Sequence, residues 1–66
     1  MTYVDLRPDA GRPVRVHVDE QWRDGQLEAY RRDRDGTWRG FVRWSEGVGM
    51  TRIAWLGEAV IARAEH

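Results

Sequence analysis

No cysteine occurs in this 66-residue chain, and that absence narrows what it can fold into more than any other feature. Disulfides and cysteine-ligated zinc are the usual supplements for domains of this size, so the fold must rest on its hydrophobic core alone. A chain this short buries only about 60% of the surface its unfolded form exposes, which calls for few, large core side chains. Four Trp, two Tyr and one Phe meet that need. The opening MTYVDLRPDAGRP has no apolar run of signal-peptide length, and no window approaches the roughly 18 apolar residues of a membrane span. The reading is one soluble, cytoplasmic domain without a membrane partner.

Period-two patterning dominates. Val14-Arg15-Val16-His17-Val18 alternates apolar and polar residues, the clearest strand signal in the chain. Thr2 to Leu6 reads either as a shorter strand or as an extended arm, with residues 1–13 set apart from a domain over 14–64. Pro8 and Pro13 bracket a loop containing Gly11, and Asp19 to Gly25 is turn-rich. Gln26 to Arg32 and Thr37 to Trp44 read as two strands joined at Asp33-Arg34-Asp35-Gly36, whose Asp-Gly suits a tight hairpin.

With Asp33 opposite Gly36, Leu27 faces Val42, Ala29 faces Gly40 and Arg31 faces Trp38, all on one face with Trp44. The other face then carries Gln26 against Arg43, Glu28 against Phe41, Tyr30 against Arg39, and Arg32 against Thr37. One face is mostly apolar and the other mostly polar, as a half-buried antiparallel pair requires. A one-residue bulge in the turn would swap these faces. Thr51 to Leu56 forms a further strand with Ile53 and Trp55 inward. Pairing Trp44 with Thr51 sets Val42 opposite Ile53, and Gly40 is small to make room for Trp55. Trp44, Trp55 and Trp38 read as core, while Trp22 reads as either core or exposed. Leu56 to Ala59 reads as a 3₁₀ turn before a last strand over Val60 to Ala64, with an amphipathic helix over residues 57–66 as the alternative.

"VRVHVDEQWRDGQLEAYRR", "DGTWRGFVRW" and "TRIAWLGEAVIAR" together resemble the small SH3-like or Tudor-like β-barrels, particularly short arginine-rich proteins of the kind common in actinobacteria. The resemblance covers residues 14–63. It implies an all-β fold, a small five-stranded antiparallel SH3-like barrel with a 3₁₀ turn before the last strand, and a non-catalytic binding role. Trp22, Tyr30, Trp38 and Phe41 stand as the aromatics such a cage or groove would use.

Catalysis finds little support. His17 alternates outward between valines, His66 is terminal, and Ser45 has no histidine nearby in sequence. Asp33 and Asp35 fit turn chemistry better than acid-base work. The chain therefore reads as a non-enzyme with no metal site and no cofactor.

Charge is more informative. Eleven Arg balance eleven acids and there is no Lys, so bulk attraction to a polyanion is not expected. Arginine stacks on aromatic rings and binds carboxylate or phosphate with two parallel hydrogen bonds. Residues 31–52 hold six Arg against three acids, which makes the molecule two-faced. On the register above, Arg39, Arg43 and Arg52 share the outer face with Tyr30 and Phe41, and Arg43 lies almost opposite Arg52. Like charges across a ladder need a counter-charge. It is Glu28 or Glu46 of the same chain, a partner's carboxylate, or a phosphate.

The leading functional expectation is an interaction module that docks an acidic segment of a protein partner on Trp22, Tyr30, Arg32, Arg39, Phe41, Arg43 and Arg52. Single-stranded nucleic acid stacked on the same face is the alternative, and self-association of a basic face with an acidic one is the third.

Overall fold

The valine alternation at residues 14–18 becomes the centre of an all-β molecule. A computed structural model describes residues 2–6 and 11–64. Its strands are β1 (Thr2–Asp5), β2 (Arg12–Val18), β3 (Gln21–Arg32), β4 (Trp38–Gly47), β5 (Met50–Gly57) and β6 (Ile61–Arg63), with one 3₁₀ turn at Glu58–Val60. All pairings are antiparallel, in the order β5-β4-β3-β2-β6, and β1 also pairs with β3.

The twelve-residue β3 explains the sixth strand. Its first half pairs with β2, from Gln21 opposite Val18 to Leu27 opposite Arg12. Its second half pairs with β1, from Ala29 opposite Asp5 to Arg32 opposite Thr2. The five-strand expectation is corrected on that point: Thr2–Asp5 belongs to the sheet. So is closure, because β5 and β6 end the sheet on opposite sides without pairing to each other. The alternative helix over residues 57–66 gives way to the 3₁₀ turn and β6, whose Ile61 lies opposite the fully buried Val16. Pro8 and His66 lie outside the described residues. Pro13 sits inside β2 one residue beyond the β6 ladder, where its missing N–H leaves no β6 bond unmade.

The turn between β2 and β3 is only Asp19-Glu20, both at positive φ (51° and 64°), so Gln21 to Gly25 is strand and not turn. The β3–β4 connection departs from the two-residue hairpin. The Gly36 N–H donates to the Asp33 carbonyl (3.0 Å), and the Asp33 N–H donates to the Thr37 carbonyl (2.9 Å). Gly36 lies at φ 88°, the conformation that closes a three-residue loop over Arg34, Asp35 and Gly36. That one extra residue shifts Ala29 to Arg32 by one position, pairing them with Phe41, Gly40, Arg39 and Trp38 in turn. A bulge at Glu28 then takes the shift back, so Leu27 still faces Val42 and Gln26 still faces Arg43.

A second irregularity between Ser45 and Gly47 offsets β5. Trp44 pairs with Arg52, Val42 with Ala54 and Gly40 with Leu56, so Ala54 and Leu56 face the core in place of Ile53 and Trp55. The buried cluster is Val14, Val16, Val42 and Trp44, packed against Val18, Leu27, Ala54, Leu56 and Ile61. Each such buried aliphatic contributes about 1.5–3 kcal/mol. Gly40 is small for a different reason from the expected one: a Cβ there would lie 2.7 Å from both Leu27 Cδ1 and Ile61 Cδ1. Trp55 is on the opposite side of the sheet, against Phe41 (ring centroids 5.0 Å apart), Tyr3 (6.2 Å) and the Arg31 guanidinium (4.6 Å).

Candidate functional site

Alternation along β4 places Arg39, Phe41 and Arg43 on one face, away from Gly40, Val42 and Trp44. Trp22 falls on that same side of β3 but near the strand's start, where its ring lies 5.1 Å from His17. Tyr30, Arg32 and Arg52 are on the core-bearing face instead, opposite Gly40, Trp38 and Trp44. The expected single Arg/aromatic surface is thus corrected to two, and Arg43 and Arg52 are not neighbours across a ladder. The cause is the pair of register offsets at Gly36 and Glu46, each of which reverses the facing of the residues beyond it.

The chain supplies its own counter-charges. Arg43 Nε lies 2.8 Å from Glu28 Oε1, a charge contact whose N–H is not aimed at the oxygen. Arg52 Nε donates to Glu46 Oε1 at 2.9 Å. Asp33 serves two cations, accepting from Arg39 Nε at 2.9 Å and lying 3.1 Å from Arg31 Nε. Glu28 and Glu46 were the in-chain candidates, and each takes one arginine. Between residues 31 and 43, only Arg32 and Arg34 have no carboxylate partner among the described residues. The Arg32 guanidinium lies 6.0 Å from the Trp38 ring centroid.

Beside the Arg32–Trp38 contact is a mostly apolar cavity of about 210 Å³, walled by Leu27, Tyr30, Trp38, Gly40 and Ile61, with Arg39 and Glu58 at its margin. The Tyr30 and Trp38 rings are 5.5 Å apart, inclined at 59°. Trp38 is 36% exposed and is not a core residue. Three features build this cavity: the three-residue loop turns Tyr30 inward, Gly40 lets the Leu27 and Ile61 side chains close over the sheet as its floor, and the 3₁₀ turn and β6 supply the far wall. Sequence reasoning assigned Trp38 to the core because the alternation of Trp38, Gly40, Val42 and Trp44 carries no sign of where the core ends. The glycine two residues on was the available signal.

A wider groove of about 650 Å³ runs over Arg15, Asp24, Gln26, Arg43, Ser45 and Thr51. Its charges are already matched, Arg43 by Glu28 and Arg15 by Asp24 at 4.0 Å. The smaller cavity has aromatic walls and Arg32, without a carboxylate partner among the described residues, beside it, which makes it the better candidate for binding.

Asp35 does turn work, accepting from the Thr37 hydroxyl (2.6 Å) and the Thr37 N–H (2.9 Å). The Thr37 hydroxyl, then its backbone N–H, hold the Asp35 carboxyl below its ordinary range. Among the described residues no cluster of three or more His, Cys, Asp or Glu is placed to hold a metal ion. Nor is any helix among them long and apolar enough to cross a membrane. No protein-family model matches the chain, and no curated protein or solved structure matches it either.

Proposed function

We propose that this chain is a small non-catalytic binding module, SH3-like in its strand order, that docks an acidic segment of a partner protein. One apolar side chain of the partner seats between Tyr30 and Trp38, and a neighbouring carboxylate meets Arg32. The strand order β5-β4-β3-β2-β6 with a 3₁₀ turn before the last strand supports the SH3-like reading. The observation that carries the docking reading is the coincidence of a cation without a carboxylate partner among the described residues, Arg32 over Trp38, with an aromatic-walled cavity. A carboxylate held by a guanidinium fork makes strong charge-assisted hydrogen bonds, and a buried apolar anchor supplies the non-polar part. Nucleic acid is the weaker fit, since a phosphate backbone needs a track of free cations and Arg39, Arg43 and Arg52 are already engaged.

The test is affinity capture from a cell lysate, with and without nuclease treatment, using the native chain, Trp38→Ala and Arg32→Glu as baits. An acidic protein should be retained by the native bait and lost by both variants. Equal capture by all three baits overturns the proposal. Loss of the captured protein on nuclease treatment transfers the site to single-stranded nucleic acid.

A further inference from the structure

Among the described residues the sheet has three free edges, and they are not alike. β6 is three residues long and β1 four, and edges that short offer little to pair with. β5 is eight residues long, Met50–Gly57, and only its β4 side is occupied. It has no proline, no lysine and one charge, Arg52, which Glu46 already neutralises. Three apolar side chains stand exposed at this margin: Val48, Met50 (50% exposed) and Ile53 (51% exposed). An edge with unpaired backbone groups and exposed apolar residues, without the devices that normally block it, is a template for another strand.

We infer that β5 pairs antiparallel with β5 of a second copy, joining two sheets into one across a two-fold axis. A two-fold normal to the sheet makes one residue its own partner, so the register is a choice of centre. Centring on Arg52 sets two guanidinium groups against each other. Centring on Ala54 leaves Met50 outside the ladder and brings in Gly57. Centring on Ile53 places Ile53 on its own copy, Arg52 opposite Ala54, Thr51 opposite Trp55 and Met50 opposite Leu56. Both exposed apolar residues of the strand then gain a partner, and no charge meets its like. Self-pairing asks nothing further of the partner, whereas the cavity at Tyr30 and Trp38 remains open in either copy.

Sedimentation velocity of the intact chain across a dilution series tests this. The native chain should move from monomer to twice the monomer mass as concentration rises. Ile53→Glu, which places two carboxylates on the axis, should stay monomeric with its melting temperature at low concentration unchanged. Because the chain has no other thiol, Ile53→Cys should oxidise to a disulfide-linked dimer, the facing Cα atoms of such a pair being about 4.5–5.5 Å apart. Thr51→Cys, which faces Trp55, should not. A native chain monomeric at every concentration, a persistent Ile53→Glu dimer, or equal cross-linking of the two cysteine variants overturns the inference. Trp38→Ala should dimerise like the native chain, so loss of partner capture and loss of pairing are separable.

Discussion

Gly25 is half-buried and Gly40 buried, but a methyl group added to each meets different neighbours. At Gly25 it would lie 2.9 Å from the Arg43 carbonyl oxygen, 3.1 Å from Val42 Cγ1 and 3.3 Å from Trp44 Cβ, atoms fixed to the β4 backbone. At Gly40 the contacts at 2.7 Å are the methyl ends of Leu27 and Ile61, which can rotate away. Overpacking typically costs about 1–3 kcal/mol. Gly25→Ala should fall near the upper end, about 3 kcal/mol, and Gly40→Ala near 1 kcal/mol, as read from urea denaturation. The opposite order would show that β4 yields more easily than the cavity wall. Asp35 gives a pH-dependent prediction. Its folded pKa is depressed by Thr37, so its stabilisation is present above the ordinary aspartate value of about 4 and is lost as pH falls through the lower folded value. Asp35→Ala should melt lower than the native chain at neutral pH, and the two melting curves should converge in strong acid. A gap that stays constant down to low pH would remove Asp35 ionisation as its cause.

Turns set the registers of the elements. Asp19 and Glu20 both adopt positive φ, as a two-residue turn of the primed type demands. Aspartate tolerates that conformation, but glutamate pays about 1 kcal/mol for it. Glu20→Gly should therefore raise stability by about 0.5–1 kcal/mol, the gain being trimmed by the greater freedom of glycine in the unfolded chain. In a domain this small that is a rise of several degrees in melting temperature. A fall would show that Glu20 makes a contact worth more than its strain. The β3–β4 hairpin shows how far patterning reaches. Leu27 with Val42 and Gln26 with Arg43 were legible because they are the pairs that match apolar with apolar and polar with polar. Tyr30 and Arg32 were not, because Asp-Gly is compatible with both a two-residue and a three-residue loop.

At the scale of the whole molecule, stability rests on two apolar layers of unequal size. The larger packs around Val16 and Val42, while the smaller depends on β1 to cover Ala29 and to bring Tyr3 to Trp55. Leu6, which follows β1, is buried and its N–H donates to the Glu28 carbonyl at the bulge (2.7 Å). A chain truncated to begin at Gly11 should lose on the order of 3 kcal/mol, the worth of one well-buried leucine and its neighbours, yet still unfold cooperatively. An unchanged melting temperature would make β1 an ornament of the sheet. The ion pairs weigh less. Every arginine in them is at least one-third exposed, so each contributes about 0–1 kcal/mol.

The chain's local chemistry by itself determined that strands would form at residues 14–18 and 38–44, that a bend would fall at Asp33–Gly36, and that Val42 and Trp44 would go inside. Each follows from side-chain alternation or from turn residues acting over a few positions. Which way Ala29 to Arg32 and Thr51 to Leu56 face was decided only by the tertiary structure. A single inserted residue at Gly36 or Glu46 reverses a period-two pattern at almost no local cost. The choice is then made by distant partners: Leu27 and Ile61 closing over Gly40, and β1 covering the far half of β3.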